Sequence, residues 1–331
     1  MNIRRVQKTG GSSYIISLPK EWIERHNIKA KDAIGILSQP DGNLLITPNT
    51  NSQEFIKEKT IDVDDIDNTN FLFRLLIGAY IMGYKIIKIK TSKVNFEIGI
   101  RECIERFISM AIGLEIIEET NQYFFIKDLL NPKEMPFEKT IKRMYILVQS
   151  MHEDAVKALE TGNKSLAYKV IKRDDQVDKL NWLIERQSHI VLRDIILCQK
   201  MNITLEDASN FKLTSKILER IGDHAVKIAK IVLKIKYKKI DKQILKNITD
   251  ASKLSLKLLT ISLDAWLQKN MKLANENIES INKLLDFCEI IINKTENNYY
   301  NLVEIGYIIE SIKRTGEYAA DISEIIINNL I

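Results

Sequence analysis

Apolar positions recur at helical spacing through the second half of the chain. Around the stretch Leu218 to Lys230 they fall at positions 217, 218, 221, 225, 228, 229 and 232, which predicts an amphipathic helix with one broad buried face. Glu219 and Asp223 lie four residues apart and project from nearly the same face of this helix, about one turn of roughly 5.4 Å from each other. Like charges so placed require solvent, basic neighbours or a bound cation. Gly222 costs roughly 1 kcal/mol of helix propensity relative to alanine, so we expect it to mark the close approach of another helix.

A second copy of this helix begins 94 residues further along the chain. The positions of Arg220, Gly222, Ala225 and Ile228 are repeated there as Arg314, Gly316, Ala319 and Ile322. So regular a match predicts a tandem repeat in which each copy buries its apolar face against the other. We predict helices at about 137–160, 165–200 and 204–236, and then at about 242–269, 271–294 and 299–329. Because the connections are short, neighbouring helices are expected to be antiparallel, which gives two three-helix bundles.

Two motifs in the first copy resemble those of a known family. Residues 218–229 read Leu-Glu-Arg-Ile-Gly-Asp-His-Ala-x-x-Ile-Ala, and residues 174–178 read Asp-Asp-Gln-Val-Asp. With these motifs, the chain from about residue 137 to residue 331 resembles the PhoU family of phosphate-uptake regulators. The resemblance implies tandem three-helix bundles with Glu/Asp-x-x-x-Asp pairs that bind multinuclear metal clusters, and negative regulation of phosphate transport through a transporter and a sensor kinase. Carried over by position, it implies four metal ligands: Asp174, Asp178, Glu219 and Asp223.

The bound ion is expected to be divalent or trivalent. Carboxylate ligands favour hard cations such as magnesium, calcium or manganese, the resemblance favours iron, and zinc is a further candidate. The alternative is a solvated acidic stripe paired with Arg173, Lys179 and Arg220, which the spacing alone supports almost as well. The paired motifs and the resemblance decide for metal.

The second copy departs from the ligand pattern. The positions of Glu219, Asp174 and Asp178 are held there by Lys313, Ile278 and Asn282. The position of Asp223 remains acidic, as Glu317. Because Lys313 could supply an ammonium group in place of a cation, we expect this second site to be degenerate or empty. One metal site per chain is therefore predicted.

The first fifty residues have a different pattern. Residues 3–9 and 13–18 read as two strands joined at Gly10-Gly11, residues 20–26 as a short helix after Pro19, and residues 33–37 and 44–47 as a second hairpin. So short a segment buries little apolar surface alone, so we expect dimerisation to supply the missing core.

This N-terminal pattern also resembles a family. Residues 4–22, Arg-Arg-Val-Gln-Lys-Thr-Gly-Gly-Ser-Ser-Tyr-x-x-Ser-Leu-Pro-Lys-Glu-Trp, are similar to the AbrB/SpoVT family of DNA-binding domains, which are swapped-hairpin dimers; Lys31-Asp32 replaces the usual Gly-Asp. Residues 1–48 carry seven Lys and Arg against four acids, a net charge of +3 that a dimer would double. Basic residues on a short strand are also common as solvated edge charges. Small hydroxyl residues and glycines beside them favour phosphate contact, for which we predict Arg4, Arg5, Lys8, Ser12 and Ser13.

Residues 49–133 are expected to connect these two parts. We predict a polar linker over 49–68 and a small α/β module over 69–133. The acidic run from Asp62 to Asp67 lacks the glycine and glutamate that a calcium loop needs at its sixth and twelfth positions. These acids are therefore interpreted as solvated residues that cap the following helix.

The amino-acid composition and the absence of catalytic motifs from the sequence exclude several classes of function. The chain has 331 residues, a formal net charge of +5, 45% hydrophobic residues and three widely spaced cysteines, so an ordered cytoplasmic protein without membrane insertion is expected. No Glu-x-x-His pair suits a di-iron bundle, and no Walker loop, dinucleotide fingerprint or catalytic triad order is present, so an enzyme is not expected.

The sequence predicts a multidomain, mainly α protein. Its parts are an AbrB-like swapped-hairpin domain (1–48), the linker (49–68), the α/β module (69–133) and two PhoU-like repeats (134–240 and 241–331). We predict a metal-binding, phosphate-responsive repressor that binds double-stranded DNA as a homodimer or a higher even oligomer. The alternative is an adaptor that inhibits a phosphate transporter or a sensor kinase without binding DNA. An antitoxin-like DNA binder would need a toxin partner, and the long helical region does not favour it.

Overall fold

The computed structural model describes residues 3–38, 42–48, 57–235, 240–295 and 301–331. The chain divides into two compact units, Met1–Phe55 and Ile56–Ile331. Each unit is described by itself.

The first unit contains two separate hairpins and one short helix. Strands β1 (Gln7–Thr9) and β2 (Ser13–Ile15) pair antiparallel, as do β3 (Gly35–Ser38) and β4 (Leu44–Thr47), and helix α1 (Lys20–Arg25) lies between the hairpins in sequence. The predicted order of elements is confirmed, with shorter strands than expected. None of the residues described between 3 and 48 is buried. Large apolar side chains are exposed instead: Ile3, Val6, Tyr14, Ile15, Ile16, Ile36, Leu44 and Leu45.

The second unit opens with the α/β module. Its elements are β5 (Glu58–Asp62), α2 (Thr69–Ile81), β6 (Ile86–Lys90), α3 (Ile98–Met110), β7 (Leu114–Glu119) and β8 (Tyr123–Asp128). The sheet order is β5-β6-β8-β7, with β5 parallel to β6 and the other pairs antiparallel. A left-handed glycine follows each helix, Gly83 with φ +76° after α2 and Gly113 with φ +89° after α3.

Strand β5 lies inside the segment that the sequence predicts to be a linker. Its residues Glu-Lys-Thr-Ile-Asp expose all side chains but that of Ile61, because β5 is an edge strand, and so they lack an alternating apolar pattern. Residues 49–56 of the predicted linker lie outside the described residues. The capping role predicted for the acidic run is also wrong. Asn68 caps helix α2, whereas Asp64 accepts hydrogen bonds from the Thr91 hydroxyl (2.5 Å) and the Ser92 amide (2.9 Å) after strand β6.

Three long helices form the first bundle. They are α4 (Phe137–Thr161), α5 (Lys164–Val191) and α7 (Leu205–Lys234), with the short helix α6 (Ile195–Lys200) between the last two. The sequence predicts a single helix over 165–200, but the chain leaves the helix after Val191 and Asp194 caps α6 by accepting a bond from the Leu197 amide. A capping box between Thr204 and Asp207 then starts α7.

The second bundle repeats this arrangement with α8 (Lys242–Gln268), α9 (Met271–Thr295) and α10 (Leu302–Leu330). The predicted helix limits at residues 236 and 299 lie outside the described residues. One hydrophobic core runs through both bundles. The rings of His224 on α7 and Tyr318 on α10 lie 5.8 Å apart, although they occupy equivalent positions of the two copies. The repeats therefore meet face to face about a pseudo-two-fold axis.

The α/β module is held to helix α5 by a buried ion pair. Arg186 donates from Nε (3.1 Å) and Nη2 (2.5 Å) to Asp128 and from Nη1 to the Tyr80 carbonyl, and both charged residues are almost completely buried. Trp182, one turn earlier on α5, packs edge-on against Phe73 of α2. A charge pair of this kind needs all of its partners, because each ion loses its water when it is buried.

The two equivalent glycines of the repeats have different surroundings. A Cβ atom on Gly222 would meet the nearest atoms, in Val148 and Val177, at 3.5 Å, which is ordinary van der Waals contact. The close approach predicted at Gly222 is therefore wrong. On Gly316 a Cβ would overlap Leu284 and reach Ile281 at 3.0 Å. The close approach is real in the second copy alone.

These surroundings predict opposite effects of one substitution. Gly222→Ala should raise the free energy of unfolding by up to about 1 kcal/mol through helix propensity. Gly316→Ala should lower it by about 1–2 kcal/mol, because overpacking displaces Leu284. Urea titrations followed by circular dichroism measure both changes. Equal effects of the two substitutions would contradict this difference in packing.

Candidate metal centre

The register between helices α5 and α7 determines which acids face each other. The Ser215 hydroxyl donates to the side-chain amide oxygen (Oδ1) of Asn181 at 3.0 Å, and Gly222 lies against Val177. The two helices are antiparallel, so moving one turn away from the Asn181–Ser215 bond brings Asp178 of α5 opposite Glu219 of α7.

One further turn brings Asp174 opposite Asp223. Both pairs predicted from the sequence therefore lie along one seam of the first bundle. Helix α5 contributes one acid of each facing pair and helix α7 contributes the other.

The charges of these four carboxyl groups act on one another. Burial, followed by the charges of Asp223 and Glu219, raises the pKa of Asp174 from 3.8 to about 6. Burial, followed by the charges of Asp174, Glu219 and Asp223, raises the pKa of Asp178 from 3.8 to about 7. The seam is thus a site where negative charge accumulates and is poorly hydrated.

The two carboxylate oxygens of Glu219 differ in their hydrogen bonding. Its Oε1 atom lies 2.8 Å from the Lys216 ammonium, one turn earlier on α7, whereas its Oε2 atom is buried and has no hydrogen-bond partner. A buried carboxylate oxygen without a partner is costly, since it has lost its water and gained nothing in return. A cation would satisfy it.

The basic residues expected to neutralise an acidic stripe are engaged elsewhere. Arg173 donates to Asp154 and, at 3.0 Å, to the Ser150 hydroxyl of helix α4. The charge of Arg220 acts on Asp321 of the second bundle. The cations that do act on the seam are Lys216, through Glu219, and Lys230, through Asp174. The stripe that the sequence left as an alternative therefore lacks two of its three predicted partners.

The ligand set is clustered but not preassembled. In the arrangement seen, the described part of the chain has no group of three or more His, Cys, Asp or Glu side chains poised to hold a metal ion. The chemistry of the cluster nevertheless fits a hard cation, because its donors are carboxylate oxygens and one of them is an unpartnered buried atom.

The corresponding face of the second bundle carries its own cations. Lys313 lies 3.8 Å from Glu317, and Arg314 lies 3.1 Å from Glu310 and 3.0 Å from Glu317. The acids on this face are therefore already paired, in line with the departure of the second copy from the ligand pattern.

His224 lies beside Asp223 in sequence but on a different face of α7. It is buried between the bundles, where burial lowers its pKa to about 4, with smaller contributions from Lys227 and Arg314. A neutral histidine that packs against Tyr318 contributes to the contact between the repeats.

The residues predicted to contact DNA lie on or near the first hairpin. Arg4 and Arg5 precede β1, Lys8 pairs with Tyr14 across the hairpin, Ser12 lies in the turn and Ser13 begins β2. All five side chains are exposed. The hairpin thus presents them on a surface that nothing else in the unit covers, and their role remains a prediction.

Sequence reasoning missed the polar residues around the four acids. Asn181 and Ser215 interrupt the apolar faces of their helices, which is a signal for a buried hydrogen bond, although their pairing needs the register of the bundle. Lys216 precedes Glu219 by three residues, a spacing at which helical ion pairs form.

A tandem pair of three-helix bundles, with acids gathered between two helices of the first, places the chain among the helical-bundle proteins. The family model described as the PhoU domain matches residues 141–232, and that described as "Antidote-toxin recognition MazE, bacterial antitoxin" matches residues 7–54. The chain therefore carries a PhoU domain, preceded by a MazE/AbrB-like domain.

Curated relatives match a little over half of the chain. The "phosphate-specific transport system accessory protein PhoU homolog" of Clostridium acetobutylicum is 28% identical over 193 residues, which cover 55% of this chain and 85% of that protein. The "PhoU homolog 1" of Thermotoga maritima is 28% identical over 199 residues, covering 56% of this chain and 82% of that protein. The crystal structure of PhoU from Pseudomonas aeruginosa aligns with a TM-score of 0.49 at 21% identity, over 60% of this chain and 96% of that one.

The raised pKa values predict how stability depends on pH. Asp174 and Asp178 hold protons more tightly folded than unfolded, so in metal-free protein their contribution to stability is lost as pH rises from about 4 to about 7. Asp178→Asn should weaken this loss strongly, whereas Asp175→Asn, at an exposed position of the same helix, removes only a smaller contribution to the two pKa values and should weaken it much less. Thermal unfolding of chelator-treated proteins between pH 4 and pH 8 measures the effect. Identical pH profiles for wild type and Asp178→Asn would refute it.

Proposed function

We propose that this protein is a metal-binding, phosphate-responsive transcription regulator that represses phosphate-uptake genes. The observation that carries the proposal is the seam of four carboxylates, with its raised pKa values and the unpartnered Glu219 oxygen, in a chain that also has an exposed basic hairpin. The curated relatives named above, which are accessory proteins of phosphate-specific transport, support the phosphate part.

The first repeat would hold the metal. Asp174, Asp178, Glu219 and Asp223 would supply carboxylate ligands to a divalent or trivalent ion such as iron, magnesium, manganese or zinc. The ion would neutralise charges that now repel each other and so join helices α5 and α7 more firmly. The second repeat would hold none, because Lys313 and Arg314 already neutralise its acids.

The N-terminal unit would act as a dimer. Its described residues bury none of their side chains, and eight large apolar side chains are exposed in it. A second copy of the same unit would cover this surface, since a short β segment of this kind cannot build a core alone. Two copies would then present two basic hairpins to one DNA duplex. Three free cysteines, all buried, are compatible with a reducing cytoplasm.

The second candidate function is an adaptor that inhibits a phosphate transporter or a sensor kinase. It is favoured by the fact that the named relatives match little more than half of this chain and are called transport accessory proteins. In this case the N-terminal unit would serve in dimerisation. Among the described residues, no helix is long and apolar enough to cross a membrane.

The metal proposal predicts a defined loss of bound ion. Asp223→Ala and Asp178→Asn should each reduce the metal content of purified protein at least several-fold, because each removes one of about four carboxylate ligands. Glu279→Gln in the second repeat is the matched control and should leave the content unchanged. Elemental analysis after gel filtration measures it. Wild-type protein without stoichiometric metal, and unaltered by Asp223→Ala, would end the proposal of a metal centre.

The DNA proposal predicts a separable loss of binding. Arg4→Ala with Arg5→Ala should abolish binding to the promoter fragments that wild-type protein binds at fixed salt, while the thermal unfolding temperature stays within about 2 °C because both side chains are exposed. Lys29→Ala with Lys31→Ala removes the same charge from the same unit and should have a smaller effect.

Genome-wide occupancy at two phosphate concentrations distinguishes the two candidate functions. A repressor should occupy discrete sites and leave them when phosphate is scarce. An adaptor should show no discrete sites.

In the gel-shift experiment, unchanged affinity of the Arg4/Arg5 variant would contradict the proposal that the first hairpin contacts DNA.

A further inference from the structure

Lys216 provides the seam with a counter-ion from within the chain. Its ammonium lies 2.8 Å from Glu219 Oε1, and the two residues lie three positions apart on helix α7. The Glu219 side chain is 15% exposed, whereas the Lys216 side chain is 45% exposed. The lysine therefore reaches the acid from the solvent side, and its ammonium can return to water at little cost.

The ammonium lies on the same carboxylate whose second oxygen a cation would take. Glu219 has two oxygens, of which one is buried without a partner and the other is bound to Lys216. A metal ion that binds the free oxygen of Glu219 would share the carboxylate with the Lys216 ammonium. The positive charges of the ion and the ammonium repel each other, so both cannot stay on the same carboxylate without a loss of affinity.

In the second repeat an acid is also neutralised by a lysine, but there the lysine replaces a ligand residue permanently. There a lysine, Lys313, stands at the ligand position itself, and its ammonium lies 3.8 Å from Glu317 on the next turn. No rotation of Lys313 can restore the missing carboxylate. In the first repeat the carboxylate is retained and the lysine comes from the preceding turn, so neutralisation by lysine is reversible there.

We propose that Lys216 is an intramolecular competitor for the cation of the first repeat. This inference rests on the proposed metal centre and adds a determinant of its affinity. In the metal-free protein Lys216 binds Glu219 and relieves part of the repulsion among the four acids. Metal binding displaces the ammonium into solvent, so the affinity for metal equals that of the bare carboxylates reduced by the strength of the Lys216–Glu219 pair.

Removal of the competitor should strengthen metal binding. In calorimetric titrations of metal-free protein with Mn²⁺ at pH 7.5 and fixed ionic strength, Lys216→Met should lower the dissociation constant about fivefold, the factor that corresponds to the roughly 1 kcal/mol of a well-placed ion pair. Without metal this variant should unfold at a lower temperature than wild type, and saturating Mn²⁺ should raise that temperature by more than it does in wild type.

Two control variants separate this effect from net charge. Lys227→Met removes the same charge from an exposed position of the same helix and should change the dissociation constant less than twofold. Lys216→Arg retains the cation and should bind Mn²⁺ close to wild type. If Lys216→Met fails to fold, Lys216→Gln, which retains a polar end group, carries the same test.

The outcomes distinguish the competitor from the metal centre itself. If wild type binds Mn²⁺ and Lys216→Met binds no more tightly than Lys227→Met, the competitor is overturned and the metal centre remains. If neither wild type nor any variant binds Mn²⁺, or if Asp223→Ala binds as well as wild type, the metal centre is lost and the competitor with it.

Discussion

The contact between helices α5 and α7 governs the chemistry of the second unit. Two buried hydrogen bonds, from the Ser215 hydroxyl to the Asn181 side-chain oxygen and from the Ser188 hydroxyl to the Ala208 carbonyl, join the helices in the register in which two pairs of acids face each other across the seam. Slippage by one residue would rotate each acid by about 100° around its helix and separate the pairs. These buried polar bonds therefore serve register as well as stability, which is the best attested use of buried polar groups.

The four acids store electrostatic repulsion in the folded protein. The partial burial of Asp174 and Asp178 and the charges of Glu219 and the exposed Asp223 raise the pKa values of Asp174 and Asp178, so the fold holds charges that would separate if the chain unfolded. The apolar residues that surround the seam, such as Val177 and Ile221, supply the free energy that keeps the acids together. A cation that relieves the repulsion would thus be coupled to the packing of the first bundle.

The sequence predicts the helices well because their apolar faces repeat over six long segments and each bundle buries one continuous stripe. It predicts the four acids through motif resemblance, and their spacing alone leaves the solvated stripe open. What it could not predict depends on neighbours that are distant in the chain. Strand β5 is polar because it lies at a sheet edge, and the break after Val191 depends on a cap by Asp194.

The glycines show the same limit. Identical spacing around Gly222 and Gly316 gives no indication that Leu284 crowds one of them, while Gly222 has room for a methyl group. A glycine that recurs in a repeat therefore does not indicate the same packing in both copies.

Helix α5 has two attachments that are eight residues apart. Asp178 faces the seam, and Arg186 reaches into the α/β module, where Asp128 and the Tyr80 carbonyl hold it. At 1.5 Å of rise per residue, these positions lie about 12 Å apart on a single rigid rod. If helix α5 tilted at its acidic end, either the module would move with it or the buried ion pair between Arg186 and Asp128 would break. The orientation of the module therefore follows that of helix α5.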